Sequence, residues 1–239
     1  MQEGKHSTSA HFLTLTYNTD SVPITKKGFM TLDKTEPQRY FKRLRKLNPD
    51  SKIKYYVCGE YGGKTSRPHY HAIIFNANIE TLEQAWALNN QSMGDIYIGD
   101  VNGASIGYVL KYMCKEPDNP IPRHQNDDRI PVFSHMSKGL GKSYLTDNMK
   151  SWHLNDLENR MYVPLEQGQI IPMPRYYKQK IYTDEQRQTI GRHFKQILYD
   201  EDKKLQNELG EAYEQTRLTK GLDSIRKSTR GKQRLNEVL

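Results

Sequence analysis

The stretch from Lys52 to Ala77 constrains the fold more than any other, because its residues admit one local structure. KIKYYVCGEY, running from Lys52 into Glu60, is dense in the aromatic and β-branched residues of a strand. GGKTSRP (Gly62–Pro68) is turn chemistry, and HYHAIIFNA returns the chain as the next strand. The pair reads as a hairpin. The apolar run Ala72-Ile73-Ile74-Phe75 suits the interior of a sheet and anchors the second strand there.

The flanking segments extend this hairpin into a sheet with helices. HFLTLTYN (His11–Asn18) alternates with period two and reads as a strand. From about Asp33 to Leu47, Tyr40, Phe41, Leu44 and Leu47 recur at helical spacing on a basic background. IETLEQAWALNN repeats the helical pattern with Leu82, Ala85, Trp86 and Leu88, and DIYIGDV (Asp95–Val101) reads as a fourth strand. ASIGYVLKYMCK follows as a helix ended by Pro117. The order β-α-β-β-α-β predicts an α+β fold, a central antiparallel sheet of ferredoxin-like (RRM-like) order. Its helices lie on one face and leave the other open for a site. This domain is expected over residues 1–150, with a loop rich in Pro, Asp and Asn from Glu116 to Pro131. A Pro-containing connecting segment (151–182) and a charged helical C-terminal extension (183–239) follow, the latter opening on a Thr183–Gln186 capping-box spacing.

The chemistry centres on His69-Tyr70-His71. Residues two apart on a strand share a face, so both imidazoles project together while Tyr70 points away. Two neutral imidazoles at this spacing can chelate a divalent ion, and the hairpin would bring Glu60 beside them as third ligand. Taken alone, the same pattern also fits two surface histidines on an edge strand. Tyr108 and Tyr112 lie four apart on a predicted helix and share one side of it, with Lys111 and Lys115 as a second such pair. Alone, these tyrosines fit an amphipathic helix packing on a sheet. With a metal or ammonium nearby, however, a phenol whose free pKa is about 10 becomes a usable nucleophile. The helix can lie over the face that displays the histidines, so the two signals support each other.

The partner class follows from charge. A net charge of +8 and a pI near 9.2 fit a polyanion, and sixteen tyrosines against six phenylalanines supply rings that stack on bases yet keep a polar tip wet. Only Cys58 and Cys114 are present, which argues against a disulfide framework or a cysteine zinc site. No window is apolar enough to cross a bilayer and no signal-peptide pattern opens the chain, so no membrane is expected and a reducing cytoplasm is. Tyr17, Lys64, Arg67, Lys138 and Lys142 are the expected DNA contacts.

FLTLTYN, GEYGGKTSRPHYHAIIF and GYVLKYMCK resemble, in order, the three motifs of the HUH endonuclease superfamily. More closely, the chain resembles the replication initiators of the Microviridae, small single-stranded DNA phages, in their gokushovirus-like branch. Tyr108, Val109, Lys111, Tyr112 and Lys115 are similar to the paired-tyrosine pattern of the gene A type; GLGKSYL and PRYYKQKIY extend the likeness to about residue 183. The resemblance implies an endonuclease that nicks and rejoins DNA with a tyrosine nucleophile and starts rolling-circle replication. It implies Mg²⁺ or Mn²⁺ held by Glu60, His69 and His71, with Tyr108 and Tyr112 as alternating nucleophiles and Lys111 and Lys115 beside them. The implied partners are single-stranded DNA, the origin of the double-stranded replicative form, and the helicase and DNA polymerase of a bacterial host, in whose cytoplasm the protein would act. Relatives in this branch carry a Cys-containing stretch before the first motif, whereas MQEGKHSTSAH reaches it almost at once, which points to an internal start or a truncated form.

Other readings remain open at this level. A non-catalytic RRM-like nucleic-acid-binding module shares the strand order, but it would show aromatics on the central strands where this chain has histidines. A plasmid initiator, relaxase or transposase would share the paired tyrosines. A hydrolase using activated water would need neither tyrosine. Lys138-Gly139-Leu140-Gly141-Lys142-Ser143 looks like the end of a P-loop, yet the first glycine of that motif would fall at Met136, so the glycines are expected to turn a loop near DNA. His6, His11, His124, His135, His153 and His193 lack ligand spacing and are expected at the surface.

Overall fold

The computed structural model describes residues 3–114, 126–165 and 168–224, the side chains of 111–114 excepted. It divides into two compact units, Met1–Ser143 and Tyr144–Leu239.

The first unit is built on strands β1 (Ala10–Thr16), β2 (Lys54–Tyr61) and β3 (Pro68–Phe75), with helix α1 (Glu36–Leu47) between the first two. Helix α2 (Glu80–Ala85), a small hairpin of β4 (Ala87–Leu88) and β5 (Gln91–Ser92), strand β6 (Ile96–Asp100) and helix α3 (Gly103–Cys114) follow. A short strand β7 (Phe133–Met136) completes the sheet, whose order is β6-β1-β3-β2-β7 with every pair antiparallel. The α+β class and the split β-α-β-β-α-β order are as the sequence predicts. β3 lies at the centre, where its apolar run is buried from Tyr70 to Phe75.

Alternation sorts the sheet residues into two layers. Leu13, Leu15, Val57, Tyr70, Ala72 and Ile74 face one way and pack against Tyr40, Phe41 and Leu44 of α1 and Leu82 and Ala85 of α2. On α1 these apolar residues form a single stripe, and Pro37 in the first turn sets its entry without costing an intrahelical bond. Phe12, Tyr56, Cys58, Ile73 and Phe75 face the other way, where Ile106 and the fully buried Val109 of α3 cover them. α3 therefore takes the face left open by α1 and α2.

Two local expectations are corrected. The helix expected through Asn90 stops at Ala85, because Asn89 and Asn90 adopt left-handed φ values of 50° and 63° and turn the β4–β5 hairpin. Trp86 then leaves the helix to drop into the core, where its indole Nε1 donates to the Thr16 carbonyl at 2.9 Å. β7 lies in a segment expected to be irregular; it pairs with β2 from Tyr56↔Met136 to Gly59↔Phe133.

The second unit contains α4 (Asp147–Leu154), β8 (Tyr162–Pro164), β9 (Ile170–Pro172), α5 (Arg175–Ile181) and the long α6 (Asp184–Leu209). Its core is Tyr144, Val163, Met173, Tyr177, Ile181, Tyr182 and Ile190, most of it drawn from the stretch expected as a connector. The capping box at Thr183 and Gln186 is formed in both directions. His153, expected at the surface, is fully buried here: its Nδ1 donates to the Arg160 carbonyl at 2.7 Å and its Nε2 lies 2.8 Å from the Tyr144 hydroxyl. Among the described residues no helix is long and apolar enough to cross a membrane.

Candidate metal centre

The hairpin register sets Glu60 directly across from His69 and Cys58 across from His71. Alternation sends Glu60, His69 and His71 to the α3 face, while Tyr70 enters the opposite core layer. Glu60 Oε1 lies 2.8 Å from Nε2 of His69 and 2.8 Å from Nε2 of His71. One donor atom from each residue falls within 4.8 Å of the others, the only such grouping of three or more His, Cys, Asp or Glu among the described residues. Glu60 and His71 are buried and His69 is half-buried.

The hydrogen bonds behind the rings decide what this cluster can hold. Nδ1 of His69 lies 3.1 Å from the Arg67 carbonyl, which can only accept, so Nδ1 carries a hydrogen. A neutral His69 then aims its Nε2 lone pair at a carboxylate oxygen 2.8 Å away. Such a contact is favourable only with positive charge between the two atoms, either a proton on Nε2 or a bound cation. Burial disfavours the charged ring, but the hydrogen bond and negative charge of Glu60, with the Arg67 carbonyl, outweigh it and hold the His69 pKa above its ordinary value. Nδ1 of His71 meets the Thr14 hydroxyl at 2.9 Å, so with Thr14 accepting, its Nε2 is likewise free to ligate. Two imidazole nitrogens and a carboxylate, with ring orientations fixed from behind, fit a divalent ion.

Packing holds the cluster in place. The Phe12 ring stacks on His71 with centroids 5.7 Å apart and an interplanar angle of 14°. Tyr108, beside the buried anchor Val109 on α3, reaches in from the other side. Its hydroxyl donates to Glu60 Oε1 at 3.2 Å and lies 3.4 Å from His71 Nε2, while its ring meets that of His71 edge-on. Tyr108 stays 36% exposed, so the hydroxyl sits between the donor cluster and solvent.

The structure thus brings together Glu60, His69, His71 and Tyr108. The side chains of Lys111 and Tyr112, and the whole of Lys115, lie outside the described residues. Tyr17 is corrected: it is buried, on the α1 side of the sheet with Leu13 and Leu15, and its hydroxyl is tied to that of Tyr70 at 2.9 Å. Burial and the neighbouring Tyr70 raise its pKa far above that of a free phenol, and no face of the ring is open to a base. Arg67 is half-buried, and its guanidinium donates to the Tyr17 carbonyl at 3.1 and 2.9 Å, which fixes the turn whose own carbonyl orients His69. Lys64, Lys138 and Lys142 are exposed. Sequence reasoning passed over Thr14 and Phe12; both lie on the histidine face of β1, and Thr14 pairs directly with His71.

Residues 10–117 match a family model for replication-associated proteins of the ORF2 type. The chain is 29% identical over 183 residues to replication-associated protein VP4 of Bdellovibrio phage phiMH2K, a match covering 70% of this chain and 56% of that protein. It is 25% identical over 236 residues to replication-associated protein ORF2 of Spiroplasma virus 4, covering 82% of this chain and 72% of that one. The chain therefore spans just over half the length of the phiMH2K protein.

Proposed function

We propose that this chain is a replication initiator of the HUH type that nicks and rejoins DNA at a phage origin, with Tyr108 as nucleophile beside a divalent ion. The observation that carries the proposal is the Tyr108 hydroxyl, within hydrogen-bond distance of both a carboxylate and an imidazole of the donor cluster. A purely base-stacking tyrosine would present its ring face outward; here the polar tip points at the candidate ligands. The likeness to replication-associated proteins over the segment that contains this cluster supports a role in replication initiation.

Glu60, His69 and His71 would hold Mg²⁺ or Mn²⁺, which when bound supplies Lewis acidity toward the scissile phosphate. The protein residues account for the remaining steps. The Tyr108 proton leaves along the hydrogen bond already directed at Glu60 Oε1. The phenolate oxygen attacks phosphorus in line; a P–O bond to tyrosine forms, the P–O3′ bond breaks, and the departing O3′ takes up a proton. The products are a free 3′ hydroxyl, usable as a primer, and a 5′ phosphotyrosine. One phosphodiester replaces another, so attack by a 3′ hydroxyl reverses the step and rejoins strands without a nucleotide cofactor. Tyr112, one helical turn along, would perform the second transfer, with Lys111 and Lys115 supplying positive charge. Single-stranded DNA and the replicative-form origin are the substrates, and unwinding and synthesis fall to the helicase and polymerase of the bacterial host.

The test is a denaturing gel of protein incubated with Mn²⁺ and end-labelled single-stranded origin DNA. Wild type should form a labelled covalent adduct. Tyr108→Phe with Tyr112→Phe should abolish it, as should His71→Ala. Cleavage that persists without an adduct when both tyrosines are gone would overturn the mechanism in favour of activated water.

A further inference from the structure

The glycine loop that fails as a P-loop does hold an anion, and the anion belongs to the protein. Leu140 plugs the loop into the apolar layer on the α3 face of the sheet. Gly141, at a left-handed φ of 81°, turns its N–H toward the side chain of Glu3. Glu3 Oε2 accepts from that N–H at 2.6 Å and from the Ser143 hydroxyl at 3.4 Å, and Oε1 lies 3.0 Å from the Lys54 ammonium. Lys54 is itself held in place by donating to the Gly139 carbonyl at 2.9 Å. Glu3 is only 6% exposed, an unusual depth for a carboxylate from the first turn of a chain. Lys138 and Lys142 flank the loop, exposed. Three lysines thus surround one carboxylate, and the surplus charge is positive.

The donor set is not specific to a carboxylate. A backbone N–H, a hydroxyl and an ammonium converging on two oxygens would receive the two unbridged oxygens of a phosphodiester equally well. The cradle also lies on the same sheet face as the candidate metal centre, since Gly4 approaches Phe75 and Phe75 shares its face of β3 with His71. Along β2, Lys54 stands at one end and Glu60 at the other, about 20 Å apart by strand rise, a span of a few nucleotides. The occupant sits on a short arm: Glu3 is followed by a single 3-10 turn, Gly4–His6, before Thr8 is fixed by bonding to Asn76 at 2.9 Å.

We infer that Lys54, Gly141 and Ser143 form a subsite for a backbone phosphate of the DNA strand, occupied in the free protein by Glu3, which the strand displaces. This rests on the reading of DNA as substrate, and it assigns the charge of the loop a place in binding rather than in cleavage. Glu3 then acts as an internal competitor that weakens sequence-independent binding.

The test is fluorescence anisotropy of the full chain with a labelled homopolymeric single strand, in chelator, over a salt series. Glu3→Gln should bind several-fold more tightly. Lys54→Ala should bind more weakly, on the order of tenfold, with the salt slope reduced by about 0.7 for the lost phosphate contact. The Glu3→Gln gain should vanish in the Lys54→Ala background, and Lys54→Arg should behave nearly as wild type. An unchanged affinity in Glu3→Gln, accompanied only by a lower melting temperature, would reduce the cluster to a structural ion pair. A gain of equal size with and without Lys54 would reduce it to generic charge removal; either result overturns the inference. Binding is read without metal, so an absent adduct in the nicking assay with these slopes intact would remove the transesterification and leave the cradle. A normal adduct with an inert Glu3→Gln would do the reverse.

Discussion

Thr14 contributes one hydroxyl to the metal centre, and that hydroxyl determines which nitrogen of His71 can turn toward Glu60. Thr14→Val keeps the shape of the residue and deletes the acceptor, so Mn²⁺ affinity by calorimetry should fall on the order of 10- to 100-fold while Thr14→Ser retains it. His69 makes a second prediction through its raised pKa. The proton on Nε2 occupies the position of the ion, so Mn²⁺ binding should strengthen with pH and continue to do so above about 6.5, the ordinary histidine value, before levelling off. In metal-free protein the same shift makes the His69–Glu60 pair stabilising below about 6.5 and lost as pH rises through the folded value. Titrations at pH 6, 7 and 8 that give one affinity would remove His69 from the ligand set. The ligands were legible in the sequence because hairpin and alternation are local rules, and Glu60 is only nine positions from His69. Thr14 was not, since its neighbour lies 57 positions away and only the β1–β3 register joins them. Tyr17 could have been excluded by the same alternation, which puts it on the face of Leu13 and Leu15.

Elements with strong periodicity were legible, and those defined by one or two backbone torsions were not. α1 and the three long strands follow from their apolar spacing, whereas α2 ends early because of two asparagines in left-handed conformations. β7 has four residues and no alternation strong enough to announce it; its existence depends on the open edge of β2. The approach to β6 holds a tighter constraint. Gly94 has φ 148°, and a Cβ there would lie 2.1 Å from the Thr16 carbonyl oxygen, against backbone that cannot yield. Gly94→Ala should lower stability by more than about 3 kcal/mol in urea unfolding, well beyond an ordinary loop substitution. Thr183→Ala removes one half of the α6 capping box and should cost about 1 kcal/mol, read as increased amide exchange confined to the first turn.

At the scale of the whole molecule the two compact units answer to different conditions. His153 is satisfied as a neutral ring, with Nδ1–H donated to Arg160 and Nε2 facing Tyr144. Burial lowers its pKa, the Arg160 charge adds to that, and the Arg160 carbonyl only partly opposes it. Its contribution to stability is present above about 6.5, the unfolded value, and lost as pH falls through the lower folded one. Each unit has one tryptophan, Trp86 in the first and Trp152 packed on His153 in the second. In a Trp86→Phe background the Trp152 melting transition should therefore move down between pH 7.5 and 5.5, and an unmoved transition would refute the assignment. The second unit was hidden from sequence reasoning because its core is assembled from isolated aromatics between prolines, a pattern without period. The hairpin of the first unit has a consequence for descent. Every donor atom of the metal centre lies between Glu60 and His71 on two adjacent strands, whereas the nucleophile arrives on a separate helix. Chelation is thus a heritable cassette that stays intact while the helix is rewritten. A lineage can gain, lose or move tyrosines on α3, and so alter how many strands it holds at once, without rebuilding the site that activates them.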